Sequence, residues 1–293
     1  MPRFRVETLA LMLLAQMNGL PFTKSFSPER FSPHLLGYSV ESEASNHISD
    51  AETKKITGLK EKLKADFDAG TIDSLFADPS FKLERNIPDK FGIKPKNDVD
   101  SKRKHLGWHS LLLFLKENYA PSLKANYNSH LEKAEQMYGV DGRIIVGILT
   151  IESAIVGEYK AFNALVSQYV LITKRQGFAY RELKNLILYS QKTGKPIFDL
   201  NSSYAGAIGC AQFIPSSLNQ FFIGENGRVE SADPNNIVDC IYSVANYLQK
   251  KGWNMQKNGQ KPTKGSTNWR AIYAYNQSNA YVTAVVGIAQ SLK

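Results

Sequence analysis

The sequence predicts a mainly α-helical fold, and three observations support that prediction. Apolar residues recur at helical spacing through most of the chain from residue 50 onward. Glycine and proline stand at most of the joints between these segments. The alternating apolar and polar pattern of half-buried strands is almost absent. We find no internal repeat and no low-complexity tract.

Composition indicates a globular protein with a basic surface. The chain has 293 residues, of which 43% are hydrophobic, enough for one large domain or two small ones. Its formal net charge of +9 suits nucleic acid, anionic lipid or an anionic glycan as a partner. Because the sequence has no run of five or more Lys or Arg residues and no zinc-ligand spacing, we expect no nucleic-acid partner.

The N-terminal region resembles a weak export signal. Arg3 and Arg5 precede an apolar stretch at 9–17, which is too short to span a membrane. The alternatives are a buried N-terminal helix or a misassigned start codon. We therefore divide the chain into a signal peptide or leader at 1–20, an irregular leader at 21–47 and a catalytic domain at 48–293. No other segment is long and apolar enough to cross a membrane.

Helical periodicity assigns the individual elements. A charged amphipathic helix is predicted at 50–69, and the Pro- and Gly-containing stretch at 78–100 is predicted to be a loop. Further helices are predicted at 106–117, 122–138, 142–152, 178–190, 211–221, 236–250 and 280–292.

One predicted helix is largely apolar and ends in a carboxylate, Glu152. Residues 143–152 read RIIVGILTIE and are apolar around most of the circumference, which is typical of a core helix. Burial and the negative end of the helix dipole would both raise the pKa of Glu152, as a general acid requires. The alternative is a helix-end glutamate that has reached solvent, and this segment alone favours that alternative.

Three later segments carry side chains suited to binding a sugar. Residues 202–217 read SSYAGAIGCAQFIPSS, in which Ser203 and Gln212 offer hydrogen bonds within a small-residue turn. Residues 273–278 read YAYNQS, and 243–248 read SVANYL. The alternative interpretation is structural: glycines that permit packing, core tyrosines and an asparagine helix cap.

The two cysteines, Cys210 and Cys240, are too few for a disulfide framework. Two buried thiols and a disulfide formed in an oxidising compartment are about equally consistent with the sequence.

Taken in order, these segments resemble the lytic murein transglycosylase B family of the lysozyme-like superfamily. The resemblance rests on IIVGILTIES, SSYAGAIGCAQFIPSS, the SVANYL helix leading to Gly252-Trp253, and YAYNQS. It implies a lysozyme-like fold with a glycan-binding groove between helical lobes. The implied reaction breaks the β-1,4 bond between N-acetylmuramic acid and N-acetylglucosamine in peptidoglycan and forms a 1,6-anhydromuramyl product.

The resemblance also implies roles for individual residues. Glu152 would be the catalytic acid and then the base, and no cofactor would be needed. The implied substrate-binding residues are Ser203, Gln212, Tyr247, Tyr275, Asn276, Lys174 and Arg175. The basic pair fits an ordinary exposed turn equally well. We further expect a monomer, located in the periplasm or secreted, with peptidoglycan strands as its partner and no stable membrane insertion.

Several departures from the family pattern concern the site. Ser153 and the segment at 154–157 replace the usual residues after the glutamate, and 224–230 lacks the alternating ligands of a calcium loop. We therefore expect no metal. Glycoside hydrolysis ordinarily uses two carboxylates about 5 to 9.5 Å apart. No motif singles out a partner among Glu158, Glu182, Asp199, Glu225 and Asp233.

A single carboxylate agrees with substrate-assisted chemistry, in which the acetamido group of the substrate stabilises the positive centre. Two alternatives remain at this point. The first is a hydrolytic lysozyme on the same scaffold, and the second is an inactive glycan-binding protein.

Overall fold

The computed structural model describes residues 48–93, 113, 115–153 and 157–292. The expected leader at 1–47 lies outside these residues, as do most of the helix expected at 106–117 and the residues 154–156 that follow Ser153. Within the described part of the chain, no helix is both long and apolar enough to span a membrane.

Helices dominate the described residues, in agreement with the predicted fold class. They are α1 Asp50–Lys64, α2 Ala69–Ala77, α3 Ile87–Lys90, α4 Ala120–Tyr138, α5 Gly142–Glu152, α6 Ala161–Leu171, α7 Gln176–Thr193, α8 Pro215–Phe221, α9 Ile237–Lys250, α10 Thr267–Tyr275 and α11 Asn279–Ser291. A π-helical segment, Leu115–Tyr119, precedes α4, and short 3-10 segments are Thr173–Arg175, Ile197–Asp199 and Met255–Lys257. Two short antiparallel strands, β1 Tyr159–Lys160 and β2 Asn201–Ser202, pair with each other.

The helix that carries the expected acid lies at the centre of the core. Asp141 caps the N-terminus of α5, because its carboxylate accepts a hydrogen bond from the backbone N–H of Arg143 at 3.0 Å. Apart from Arg143, the residues of α5 are buried. α5 packs against α4, α9 and α11. Gly147 allows the closest approach, since a Cβ there would lie 2.7 Å from the carbonyl oxygen of Val285 on α11.

A second group of helices lies around α6. α6 packs mainly on α7, with α1 and α3 against it, and α7 also packs on α8. All of α6 except its last residue is buried. No side of the helix faces solvent over these residues, so its sequence has no exposed polar face and periodicity did not indicate a helix there. The helices α2, α3 and α10 likewise had no signal in the sequence that predicted them.

The predicted helix at 211–221 was wrong in its first turn. The helix begins at Pro215, and the preceding residues form a tight turn instead. Ile208 and Phe213 close that turn through two backbone hydrogen bonds, 2.9 and 3.2 Å long, and Gln212 has a φ of +48°. A positive φ is incompatible with a right-handed helix, so the turn excludes residues 211–214 from α8.

Candidate active site

Glu152 is the last residue of α5, and its side chain is buried with 7% of its surface exposed. Burial raises the pKa of the Glu152 carboxyl to about 7. Desolvation is the cause, since charging a carboxyl in an apolar environment is costly. A carboxyl with this pKa is protonated for a large fraction of the time near neutral pH, as a proton donor must be.

Tyr281, in the first turn of α11, supplies the polar group that opposes this shift. Its hydroxyl interacts with the Glu152 carboxyl and lowers the pKa of that group. The contact does not have the geometry of a well-formed hydrogen bond, and none of the residues that the structure describes gives the hydroxyl another partner. Tyr281 is not among the residues that the sequence motifs indicated. Its only signal is a tyrosine at the start of an apolar helix, which fits a core residue equally well.

Tyr281 belongs to a cluster of aromatic rings next to the acid. The rings of Tyr275 and Tyr281 are parallel, with their centres 6.4 Å apart. The rings of Tyr247 and Tyr275 pack edge to face, with their centres 4.9 Å apart. Phe213 packs against both Tyr247 and Tyr275. Burial raises the pKa of Tyr275, and the charge of Glu152 adds to that rise, so the two groups interact electrostatically.

The hydroxyl groups of two of these tyrosines are bound to the protein itself. Tyr247 donates its hydroxyl to the carbonyl oxygen of Ala274 at 2.6 Å, and Tyr275 donates to the carbonyl oxygen of Ala211. The backbone of the 208–213 turn is thereby joined to the rings around Glu152. The rings, more than the hydroxyls, are what these two tyrosines can offer to a ligand.

Ser203 and Gln212 lie in neighbouring turns of the same segment. The Ser203 hydroxyl accepts a hydrogen bond from the backbone N–H of Ala207 at 3.3 Å. The Gln212 side chain donates to the carbonyl oxygen of Gly209 at 2.9 Å and is half-buried. Both side chains are thus held in place by local contacts.

The remaining residues expected to bind substrate lie in two different places. Asn276 caps the C-terminus of α10 and has an exposed side chain, close in sequence to the Tyr275 ring. Lys174 and Arg175 lie in the 3-10 segment between α6 and α7. No described contact joins this pair to the aromatic rings around Glu152.

The two members of the basic pair have different environments. Lys174 is exposed, whereas Arg175 lies between the rings of Phe91 and Phe178, 4.4 and 4.3 Å from their centres. Arg175 Nε also donates to the side-chain oxygen of Gln168 at 2.7 Å. Lys174 is therefore the member of the pair that is open to an external ligand.

Cys210 and Cys240 form a disulfide, which the sequence had left open. Their Cα atoms are 6.2 Å apart, and the bond joins the 208–213 turn to α9.

Three of the five carboxylates considered as partners for Glu152 have other contacts. Glu158 pairs with Lys90, and Glu182 accepts from the backbone N–H of Ser216 at 2.9 Å. Glu225 pairs with Lys133. Among the described residues, burial and Tyr281 alone shift the pKa of Glu152, and no second carboxylate contributes.

The 224–230 loop binds its own backbone. Asn226 accepts from the backbone N–H of Arg228, and the Asp239 carboxylate accepts from the backbone N–H groups of Glu225 and Asp233. Within the described ranges, no group of three or more His, Cys, Asp and Glu residues is arranged to hold a metal ion.

Comparison with known proteins supports the resemblance. The profile of the transglycosylase SLT domain matches residues 56–264. Membrane-bound lytic murein transglycosylase B of Escherichia coli K12 is 33% identical over 147 residues. That alignment covers 46% of this chain and 40% of the relative, so the matched region is less than half of either protein.

Solved structures with the same fold include two from Pseudomonas aeruginosa. Soluble lytic transglycosylase SltB1 has a TM-score of 0.67 at 21% identity, covering 81% of this chain and 97% of its own. SltB3 in complex with NAG-NAM-pentapeptide has a TM-score of 0.67 at 22% identity, and the match covers 83% of this chain and 80% of SltB3. The lytic transglycosylase Slt35 of E. coli, solved in complex with calcium, has a TM-score of 0.65 at 21% identity, covering 83% and 92%.

The family profile covers more than two thirds of the chain and includes Glu152, the 202–217 segment and the SVANYL helix. This chain therefore belongs to the transglycosylase SLT domain family.

Proposed function

We propose that this protein is a lytic transglycosylase that cleaves the β-1,4 bond between N-acetylmuramic acid and N-acetylglucosamine in peptidoglycan. The observation that carries the proposal is the Glu152 carboxyl, buried at the end of α5 with a pKa raised to about 7. A lone acid with this pKa suits a reaction in which one group donates a proton and then takes one back. The names of the relatives agree with this activity.

In the first step the protonated Glu152 donates its proton to the glycosidic oxygen, and the bond to the muramyl C1 breaks. Positive charge develops at C1 as in other glycosidases, and the acetamido oxygen of the muramyl residue stabilises it. The N-acetylglucosamine part leaves with the donated proton as a hydroxyl group.

In the second step the Glu152 carboxylate accepts the proton of the muramyl 6-hydroxyl. The oxygen at C6 bonds to C1 and displaces the acetamido oxygen, closing the 1,6-anhydro ring. Glu152 ends protonated, ready for another cycle, and no water is consumed. The aromatic rings around the acid would keep water from competing with the 6-hydroxyl.

The other expected residues take binding roles in this proposal. Ser203 and Gln212 would hydrogen-bond the sugars next to the scissile bond, and the rings of Tyr247 and Tyr275 would form an apolar wall beside the acid. Asn276 would contact the sugar from the end of α10. In the basic pair, the exposed Lys174 would contact acidic groups of the glycan or its peptide, and Arg175 would support the turn.

Location and assembly belong to the same proposal. A peptidoglycan substrate implies action in the periplasm or outside the cell, with residues 1–20 serving as the export signal and 21–47 as a leader to a catalytic domain at 48–293. A monomer acting on glycan strands is sufficient, since Glu152, Tyr281 and the aromatic rings come from one chain.

Product analysis on purified peptidoglycan tests the proposal. Mass spectrometry should find muramyl ends that are lighter than reducing ends by one water, and Glu152→Gln should remove the activity. Reducing muramyl ends would instead identify a hydrolytic lysozyme. Binding of the glycan with no cleavage by the parent protein would identify an inactive glycan-binding protein.

A further inference from the structure

The turn at 208–213, which carries Gln212, has a backbone that needs external support. Gln212 has a φ of +48°, a region that L side chains enter only at an energetic cost. Its amide group also donates back to Gly209, so the turn is tightly folded on itself. Such a conformation persists only when surrounding contacts hold it.

Contacts from two other parts of the chain hold this turn. The disulfide binds Cys210 to Cys240 of α9, and the Cys210 backbone N–H donates to the Pro234 carbonyl at 2.8 Å. The Tyr275 hydroxyl donates to the Ala211 carbonyl. The Tyr275 ring stacks on Tyr281, whose hydroxyl interacts with the Glu152 carboxyl.

Contact between the turn and the segment before α9 is unusually close. A Cβ on Gly209 would lie 2.1 Å from the Pro234 carbonyl oxygen, so only glycine fits there. The contact with Pro234 positions the backbone of Gly209 and Cys210. The disulfide adds a covalent bond to the side chain of Cys210, which directly precedes Ala211. Removing the disulfide would leave Cys210 anchored by one backbone hydrogen bond.

We propose that the Cys210–Cys240 disulfide is a positioning element of the active site, and that its reduction lowers the activity reversibly while the protein stays folded. The proposal rests on the transglycosylase activity proposed above. It makes Cys210 and Cys240 positioning residues, acting on substrate through Gln212 and through the Ala211–Tyr275 contact.

The redox step is ordinary thiol–disulfide exchange. A small dithiol attacks the disulfide, the bond between the two sulfurs breaks, and Cys210 and Cys240 each become a thiol. The dithiol gives up two electrons and two protons and becomes a cyclic disulfide. Because the chain has only two cysteines, any effect of the reductant on the protein belongs to this bond.

The first experiment compares the oxidised and reduced full chain on purified peptidoglycan, at a temperature where circular dichroism shows both to be folded. Displacing a binding group by about 1 Å can cost about a hundredfold in rate. We therefore expect kcat/KM to fall about tenfold or more on reduction, with KM raised through Gln212. Reoxidation should restore the full value.

Variants separate positioning from general stability. The double variant Cys210→Ala/Cys240→Ala should match the reduced parent and should not respond to the dithiol. Leu63→Ala, a fully buried residue of α1 outside the site, should lower the thermal midpoint while leaving kcat/KM near that of the oxidised parent.

Hydrogen exchange tests the inference without relying on activity. On reduction, the amide of Phe213 should exchange faster, whereas those of α1 should not change. An unchanged kcat/KM in the folded, reduced protein would overturn the proposal, as would the lack of any temperature at which the reduced protein stays folded. If the oxidised protein does not cleave peptidoglycan, the proposed function fails, and unchanged exchange at Phe213 would then refute the positioning role independently.

Discussion

At the scale of single residues, the environment of Glu152 determines both stability and chemistry. Its pKa of about 7 in the folded protein lies above the ordinary value of 4.5. The folded state therefore holds the proton more tightly than the unfolded state does. The ionisation of Glu152 therefore costs the folded state free energy. This cost is absent below pH 4.5, and it grows as the pH rises to about 7.

Replacing Glu152 by Gln should therefore stabilise the protein at alkaline pH. A shift from 4.5 to about 7 corresponds to roughly 3 kcal/mol, so the variant should gain up to that amount at pH 8. At pH 4 the parent and the variant should have similar stability, because the carboxyl is neutral in both states. Urea unfolding at the two pH values measures the difference. An equal gain in stability at both pH values would show that the pKa of Glu152 is not raised in the folded protein.

The same pKa sets the expected pH dependence of the reaction. Proton donation needs the neutral acid, so kcat/KM should decline as the pH rises through about 7. Tyr281→Phe removes the hydroxyl that lowers the pKa of Glu152, so the decline should move to higher pH and the rate at its maximum should fall. Tyr189→Phe is the matched control, because Tyr189 is also a buried tyrosine whose hydroxyl has no hydrogen-bond partner within the described part of the chain. An unshifted profile in Tyr281→Phe would contradict the assigned contact.

At the scale of helices, the contact between α5 and α11 aligns the acid with Tyr281. Gly147 lets the backbones approach, and a Cβ there would lie 2.7 Å from the Val285 carbonyl oxygen. Backbone cannot move aside as a flexible side chain would, so α11 must shift to accept any larger residue.

Gly147→Ala should lose about 1–3 kcal/mol of stability, as overpacked core variants do. Its kcat should fall as well, since the shift of α11 moves Tyr281 away from Glu152. Gly58→Ala is the matched control, because Gly58 lies within α1 with open space around its Cα, and alanine there should add about 0.5–1 kcal/mol. Denaturant unfolding and peptidoglycan assays measure both effects. A Gly147→Ala protein as stable as the parent would show that the two helices can separate without cost.

The same elements show what the sequence could predict. Amphipathic segments such as α4 and α11 were assigned within two residues at each end, because burial on one side leaves a 3.6-residue period. α5 is buried almost all round and was assigned from its continuous apolar run instead. α6 is buried almost all round and left no such period. The turn at 208–213 depends on Cys240, Pro234 and Tyr275, which are distant from it in sequence, so local propensity alone predicted a helix there.

At the scale of the whole molecule, the site is assembled from segments spread over more than a hundred residues. Family motifs indicated Glu152, Gln212 and Tyr275 because each sits in a short distinctive sequence. Tyr281 and the disulfide lacked such a signal, since their roles arise from helix packing. The different environments of Lys174 and Arg175 likewise depend on Phe91 and Phe178, which local sequence does not connect to them.

The disulfide should also contribute to the stability of the molecule as a whole. It closes a loop with a sequence separation of 30 residues, and loop-closure entropy for that length corresponds to roughly 3–4 kcal/mol. For a domain of this size, reduction should lower the thermal midpoint by on the order of 10 °C. Calorimetry with and without a dithiol measures the shift, and Cys210→Ala/Cys240→Ala should show the lower midpoint in both conditions. A parent midpoint that does not respond to complete reduction would mean that the contacts at Pro234 and Tyr275 hold the loop closed by themselves.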